Sequence, residues 1–141
     1  MGQHSVPRRS PAPSPDSLRQ AIIVAKFGAS RVTLRKGDST LTVAAYASRV
    51  RAGKAPPCDV WFIDGSHTDP TVTHDFTNAI ASMRRGGVVM ADDTTDHWPD
   101  VQARWAALVA DGTIRDAQCR TFSIKQTRGY CWGRVEKGTA H

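Results

Sequence analysis

With 141 residues, 40% of them hydrophobic and 23% charged, the chain has the size and composition of one globular domain. No apolar run approaches the roughly 20 residues that span a membrane, and the start lacks the apolar core of a secretory signal. We therefore expect no membrane partner and a cytoplasmic location. The net charge of +6 is concentrated in residues 1–54, but bases scattered without interleaved aromatic residues argue against nucleic-acid binding.

Three cysteines, Cys58, Cys119 and Cys131, bear on the redox environment. An odd count without CxxC spacing argues against a disulfide framework or a zinc site and favours a reducing compartment. Cys119 and Cys131 could face each other across a hairpin, but we interpret them as ordinary strand thiols.

Helix and strand signals alternate in the first third of the chain. A helix is predicted over residues 18–27, and the alternating, β-branched residues 31–35 (Arg-Val-Thr-Leu-Arg) predict a strand. A second helix is predicted over residues 41–51, and either Asp38 or Ser39 can serve as its N-cap.

Two short apolar runs, residues 59–64 and 87–92, each end in carboxylates. Runs of this length between turn signals predict strands buried on both faces. Residues 70–84 between them predict a helix, because one apolar stripe follows its face: Val72, Phe76, Ile80 and Met83. Two strands joined by one helix are expected to lie parallel, with their carboxyl ends at the same edge.

The last part of the chain predicts a helix and a hairpin. The helix is expected over residues 99–110. Residues 119–125 and 130–135 are expected to be antiparallel strands, with a tight turn at residues 126–129.

Acidic side chains gather at the predicted edge where the two apolar strands end. Asp64 follows the first strand, and Asp92 and Asp93 follow the second, with His67 nearby in sequence. Ligands of open α/β sheets bind at the carboxyl ends of the strands. Three carboxylates in one place repel one another unless a cation or a positive ligand lies among them. This edge is therefore the predicted functional site.

The sequence motifs at these strand ends resemble those of a known family. Residues 62–67 read Phe-Ile-Asp-Gly-Ser-His, Asp75 lies within the helix, and residues 85–89 (Arg-Gly-Gly-Val-Val) lead to Asp92 and Asp93. Together with the terminal hairpin, this pattern resembles the later portion of the class I S-adenosylmethionine-dependent methyltransferase fold. The closest resemblance is to the branch that methylates hydroxyls of small molecules.

The resemblance implies an α/β fold with a Rossmann-like methyltransferase sheet, mostly parallel, with a C-terminal antiparallel hairpin. The family opens with a strand and a Gly-rich turn, and no such turn precedes Asp38. The resemblance therefore implies a chain that lacks the first βαβ unit. The Pro-, Ser- and Arg-rich composition of residues 1–15 predicts a disordered arm. Residues 16–136 are expected to form a partial methyltransferase-like domain, and residues 137–141 a tail.

The resemblance also implies two ligands. The first is S-adenosylmethionine, and the second is Mg²⁺, which would hold and acidify a substrate hydroxyl. Asp38 and Ser39 would lie beside the adenine ring. The expected cofactor-binding residues are Asp38, Ser39, Asp64 and Gly65, and the expected metal ligands are Asp64, Asp92 and Asp93.

Two histidines compete for the catalytic role that the resemblance implies. His67 could be the general base that takes the hydroxyl proton, because its unperturbed pKa of about 6.5 suits that task. His97 follows Asp93 by four residues in a loop over the same edge. The expected reaction is methyl transfer to a hydroxyl of a small molecule. The alternative is a non-catalytic module that pairs with a like or unlike subunit through the sheet edge exposed by the missing strands.

Overall fold

The computed structural model describes residue 22 and residues 25–28, 30–123 and 127–138. It divides into two units, residues 1–36 and 37–141. In the first unit, Ile22 and residues 25–27 are helical, and Gly28 follows with a φ of +86°. The rest of the helix predicted over 18–27, and the whole predicted arm, lie outside the described residues. The predicted domain bounds remain a prediction.

The predicted strand over residues 31–35 is wrong. Residues 32–36 have no regular secondary structure, and no strand pair of the described sheet includes them. Alternating β-branched residues favour an extended backbone, but a strand also needs a neighbour that takes its N–H and C=O groups. The sequence pattern carries no information about that neighbour.

The second unit is an α/β structure in the described residues. Its elements are α1 (Ser39–Arg51), β1 (Cys58–Ile63), α2 (Thr71–Ala81), β2 (Met83–Asp92), α3 (Pro99–Ala110), β3 (Ile114–Ser123) and β4 (Thr127–Val135). The predicted order is confirmed for this unit. The turn predicted at residues 126–129 is wrong, because β4 already begins at Thr127. Among the described helices, none has the length and apolar character to cross a bilayer.

The four described strands form one sheet in the order β1-β2-β4-β3. β1 and β2 are parallel, with Ile63 opposite Ala91, and β4 is antiparallel to both β2 and β3. The predicted fold class is confirmed. Among the described strands, one of the three pairs is parallel and two are antiparallel, so the sheet is mixed. The carboxyl ends of β1 and β2 meet at one edge, where Asp92 lies opposite Tyr130 of β4.

The core lies on one face of the sheet, beneath α2 and α3. The predicted stripe is confirmed at Val72, Phe76 and Ile80, which are buried on α2. Met83 is also buried, but it begins β2, so the helix predicted over residues 70–84 ends earlier than expected. Phe76 meets the ring of Trp105 edge-on, with 6.5 Å between ring centroids. Val89 and Ala91 of β2 are fully buried beneath these helices. This packing fixes the carboxyl end of β2, where the acidic residues follow.

The expectation that β1 is buried on both faces is wrong. Trp61 and Ile63 pack against the core, whereas Val60 and Phe62 are 61% and 53% exposed. Successive side chains of a strand point to opposite faces. The described residues cover only the face of β1 that carries Trp61 and Ile63. A run of apolar residues indicates that both faces of a strand could be buried. It does not show that another element packs on the second face.

The interpretation of Cys119 and Cys131 as ordinary thiols is also wrong. The two lie directly opposite each other on β3 and β4 and form a disulfide. Cys58 is the free cysteine of the described residues. With a disulfide present, cysteine usage no longer indicates a reducing compartment. The cytoplasmic location remains a prediction.

Candidate active site

The carboxylates that follow β1 and β2 converge as the sequence predicts. Asp64, Asp92 and Asp93 each place a ligand oxygen within 4.8 Å of the others. They differ in surroundings, because Asp64 is exposed, Asp92 is half-buried and Asp93 is 4% exposed. The parallel pairing of β1 with β2 produces this convergence.

Asp93 is the centre of the cluster's hydrogen bonds. Its Oδ2 lies 2.9 Å from His67 Nε2. Arg128 Nη1 donates to Oδ1 at 3.0 Å and to Oδ2 at 3.3 Å. A buried carboxylate is tolerated when charged partners and hydrogen bonds compensate it. Asp93 also has a φ of +56°, a left-handed conformation that non-glycine residues rarely adopt and that is enriched at functional sites.

The pairing with Asp93 fixes the tautomer of His67. An ionised carboxylate only accepts hydrogen bonds, so His67 Nε2 carries the proton and donates it. Neutral His67 therefore keeps its lone pair on Nδ1. A histidine held in this way by a carboxylate can take a proton at its other nitrogen.

Trp98 contacts both candidate histidines. The His67 ring stacks on Trp98 with 3.9 Å between centroids and an interplanar angle of 18°. The His97 ring meets Trp98 edge-on at 4.7 Å. His97 is exposed and makes no hydrogen bond within the described part of the chain. Of the two, His67 is the one that the structure orients.

Arg128 is a site residue that the sequence analysis missed. It was placed in the predicted turn, whereas in the structure it is the second residue of β4. The signal that could have found it is the hairpin register: Tyr130 pairs with Asp92, so a residue two positions earlier lies close to the end of β2.

Gly65 lies against a buried carboxylate of α2. A Cβ atom on Gly65 would come within 2.9 Å of Asp75 Oδ2. Asp75 is 7% exposed, and its Oδ1 has no hydrogen-bond partner among the described residues. The loop after β1 therefore approaches α2 so closely that a side chain at position 65 would displace the Asp75 carboxylate.

Replacing Gly65 with alanine should destabilise the domain by about 1–3 kcal/mol, because the added methyl group must displace the buried Asp75 carboxylate. Urea unfolding followed by circular dichroism measures this loss. The matched control is Asp75→Ala, alone and combined with Gly65→Ala. If the clash is the cause, the alanine at position 65 costs much less in the Asp75→Ala background. An equal cost in both backgrounds would reject the steric explanation.

Asp38 and Ser39 lie at the start of α1. Asp38 is the N-cap, and its Oδ1 accepts hydrogen bonds from Thr40 N at 2.9 Å and Thr40 Oγ1 at 2.7 Å. The side-chain hydrogen bond from Thr40 is the main cause that holds the pKa of Asp38 below its usual value. Within the described residues, no hydrogen bond joins this pair to the carboxylate cluster. Their predicted place beside adenine remains a prediction.

The loop after Asp93 carries polar atoms without partners. Thr94 Oγ1, Thr95 Oγ1 and Trp98 Nε1 are buried and make no hydrogen bond among the described residues. Such atoms need an explanation in a folded protein, and a bound water or ligand group is one. A cleft of about 310 Å³ next to this loop is lined by Asp96, His97 and Thr127.

The parallel pair of β1 and β2, with His67 and Asp93 beyond its carboxyl end, and the antiparallel hairpin of β3 and β4 match the sheet that the resemblance to Rossmann-like methyltransferases predicts. Sequence comparison gives the same class. The chain belongs to a methyltransferase domain family, whose model matches residues 8–94. A search of curated protein sequences finds no match.

Solved structures share this fold. An O-methyltransferase from Bacillus cereus, in complex with SAH, superposes with a TM-score of 0.64 at 19% identity, covering 86% of this chain and 57% of its own. The O-methyltransferase TomG from Streptomyces achromogenes, involved in tomaymycin synthesis and in complex with SAM, has a TM-score of 0.64 at 20% identity. The match covers 85% of this chain and 57% of TomG. The chain thus spans a little over half the length of these structures.

Proposed function

We propose that this domain takes part in S-adenosylmethionine-dependent methyl transfer to a hydroxyl of a small molecule. The observation that carries the proposal is the His67–Asp93 pair, held at 2.9 Å at the carboxyl ends of β1 and β2 in a methyltransferase domain. S-adenosylmethionine, when bound, supplies the methyl group. The protein's contribution is to position the acceptor and to remove its proton.

His67 is the proposed general base. Its Nε2–H donates to Asp93, so Nδ1 is the nitrogen that takes the proton from the acceptor hydroxyl. Asp93 orients the ring and stabilises the imidazolium that forms, and Trp98 fixes its plane by stacking. Proton removal by a positioned side chain contributes about 10²–10⁴-fold to a rate.

Cofactor binding is proposed for the residues that the resemblance implies. The carboxylate of Asp64 is exposed at the end of β1 and can attract a cationic sulfonium. Gly65 beside it presents backbone without a side chain. Asp38 and Ser39 are proposed to lie beside the adenine ring, at the start of α1.

The acceptor is proposed to bind beside the loop after β2. The cleft lined by Asp96, His97 and Thr127 is of the size that small-molecule sites have. The unpartnered hydroxyls of Thr94 and Thr95 belong to the same loop and are candidate hydrogen-bonding groups for a polar acceptor.

The carboxylate oxygens of the cluster are partly suited to binding Mg²⁺. Hard cations prefer carboxylate oxygens, and the oxygens of Asp64 and Asp92 make no hydrogen bond within the described residues. Both oxygens of Asp93 already accept hydrogen bonds. When bound, Mg²⁺ would supply Lewis acidity toward the acceptor hydroxyl. We propose Asp64 and Asp92 as its main ligands.

A second candidate function is supported by the exposed edge of the sheet. β1 is the terminal strand of the described sheet, and its Val60 and Phe62 side chains are more than half exposed. Uncovered edges and apolar faces are typical of surfaces that pair with another chain. A non-catalytic methyltransferase-like module that binds a like or unlike subunit would use this surface.

Calorimetric titration of the purified chain with S-adenosylmethionine, with and without Mg²⁺, tests the proposal. Saturable binding at micromolar level, about −8 kcal/mol, is expected. Circular dichroism on the same sample verifies that the chain is folded. Absence of binding by a folded chain would reject the enzymatic proposal and favour the second candidate, which sedimentation analysis then tests.

A further inference from the structure

Arg128 places a positive charge inside the carboxylate cluster. Asp64, Asp92 and Asp93 bring three negative charges within 4.8 Å of one another, a concentration that needs compensation. Arg128 approaches from β4, on the side of the site opposite β1. Its side chain is 43% exposed, while that of Asp93 is 5% exposed. The guanidinium therefore lies at the boundary between the buried carboxylate and solvent.

Arg128 donates hydrogen bonds to both carboxylate oxygens of Asp93. Its Nη1 reaches Oδ1 at 3.0 Å and Oδ2 at 3.3 Å, and His67 Nε2 lies 2.9 Å from Oδ2. Protein donors thus engage both oxygens of Asp93. The oxygens of Asp64 and Asp92 have no such donor within the described part of the chain. The three carboxylates are therefore not equivalent as ligands for an added ion.

We propose that Arg128 is a positioning residue that acts as the built-in cation of this site. It holds Asp93 in place for His67 and withholds it from a divalent ion, which is left with Asp64 and Asp92. The inference rests on the proposed function in placing the reaction at this cluster, but its test measures metal binding and not methyl transfer.

The charge of Arg128 should change the affinity of the site for a divalent ion in a predictable direction. A guanidinium and a divalent ion that share one carboxylate repel each other, and at protein surfaces such repulsion at about 4 Å is large compared with thermal energy. Removal of the guanidinium should therefore strengthen divalent-ion binding. If Arg128 instead supports Asp93 as a metal ligand, its removal should weaken binding, as is usual for groups that orient a ligand.

The experiment measures Mn²⁺ binding to the full chain by the electron paramagnetic resonance signal of free Mn²⁺. We expect Arg128→Gln to bind Mn²⁺ at least about tenfold more tightly than the unmodified chain. Arg128→Lys, which keeps the charge, should stay near the unmodified value. The matched control is Arg134→Gln on the same strand, because Arg134 donates to the Gly86 carbonyl, far along β4 from Asp93.

The outcomes separate the alternatives. Tighter binding in Arg128→Gln that disappears when Asp93→Asn is added supports the proposal. Unchanged or weaker binding in Arg128→Gln overturns it, and so does an equal gain in Arg134→Gln. Should Arg128→Gln fail to fold, Arg128→Met keeps the packing of the aliphatic stem and takes its place. A failure of the proposed function appears separately, as absent S-adenosylmethionine binding by the unmodified chain.

Discussion

Replacing His67 with glutamine should lower kcat/KM for methyl transfer by about 10²–10⁴-fold. The glutamine amide can still donate a hydrogen bond to Asp93, so the buried carboxylate keeps a partner. It cannot take a proton, so the acceptor hydroxyl must lose its proton without help. Because His67 is proposed to touch the acceptor and not the cofactor, the affinity for S-adenosylmethionine should stay near that of the unmodified chain. Initial rates and calorimetry on the same samples measure the two effects.

His97→Gln is the matched control for this substitution. His97 contacts the same Trp98 ring as His67, but it is exposed and lacks a carboxylate partner among the described residues. Its substitution should leave kcat near that of the unmodified chain, and any loss should fall on KM, because His97 lines the proposed acceptor cleft. If His97→Gln causes the large loss and His67→Gln does not, the assignment of the base is reversed. Equal small effects would mean that neither histidine takes the proton.

The predictions that the structure confirms depend on information within short stretches of sequence. The stripe of α2 and the apolar runs of β1 and β2 are local patterns, and the parallel pairing of two strands joined by a helix follows from chain geometry. From these alone, Asp64, Asp92, Asp93 and His67 could be expected at one edge.

The predictions that failed depend on partners that a local pattern does not contain. Residues 31–35 have the alternation of a strand, but the described sheet offers them no neighbour. Val60 and Phe62 are apolar, but only one face of β1 is covered. The Cys119–Cys131 disulfide depends on the exact register of a hairpin, which the cysteine count does not reveal.

The same distinction explains which site residues were missed. Arg128 reaches Asp93 only because β4 pairs antiparallel with β2 in one register. A slip of one residue would turn every side chain of the strand to the opposite face. The hairpin therefore also contributes to the site, because it places the positive charge of Arg128 beside the buried carboxylate of Asp93.

The core that holds this edge together should be most sensitive at Phe76. The side chain is 1% exposed, it lies on the α2 stripe, and its ring meets Trp105 of α3 edge-on. Replacing Phe76 with alanine should lower the free energy of unfolding by about 3–5 kcal/mol, the usual range for removal of a buried aromatic side chain. Urea unfolding monitored by circular dichroism gives this value. So large a loss is a substantial part of the stability of a domain of this size.

Phe122→Ala is the matched control, because it removes the same side chain from β3, where it is 45% exposed. Its ring contact with Tyr130, at 6.4 Å, is the main interaction to be lost, so a cost below about 1 kcal/mol is expected. A small cost at Phe76, or similar costs at both positions, would mean that α2 is not packed on the sheet as described. In that case the carboxyl end of β2 would not be fixed by the core, and the proposed site geometry would lose its physical basis.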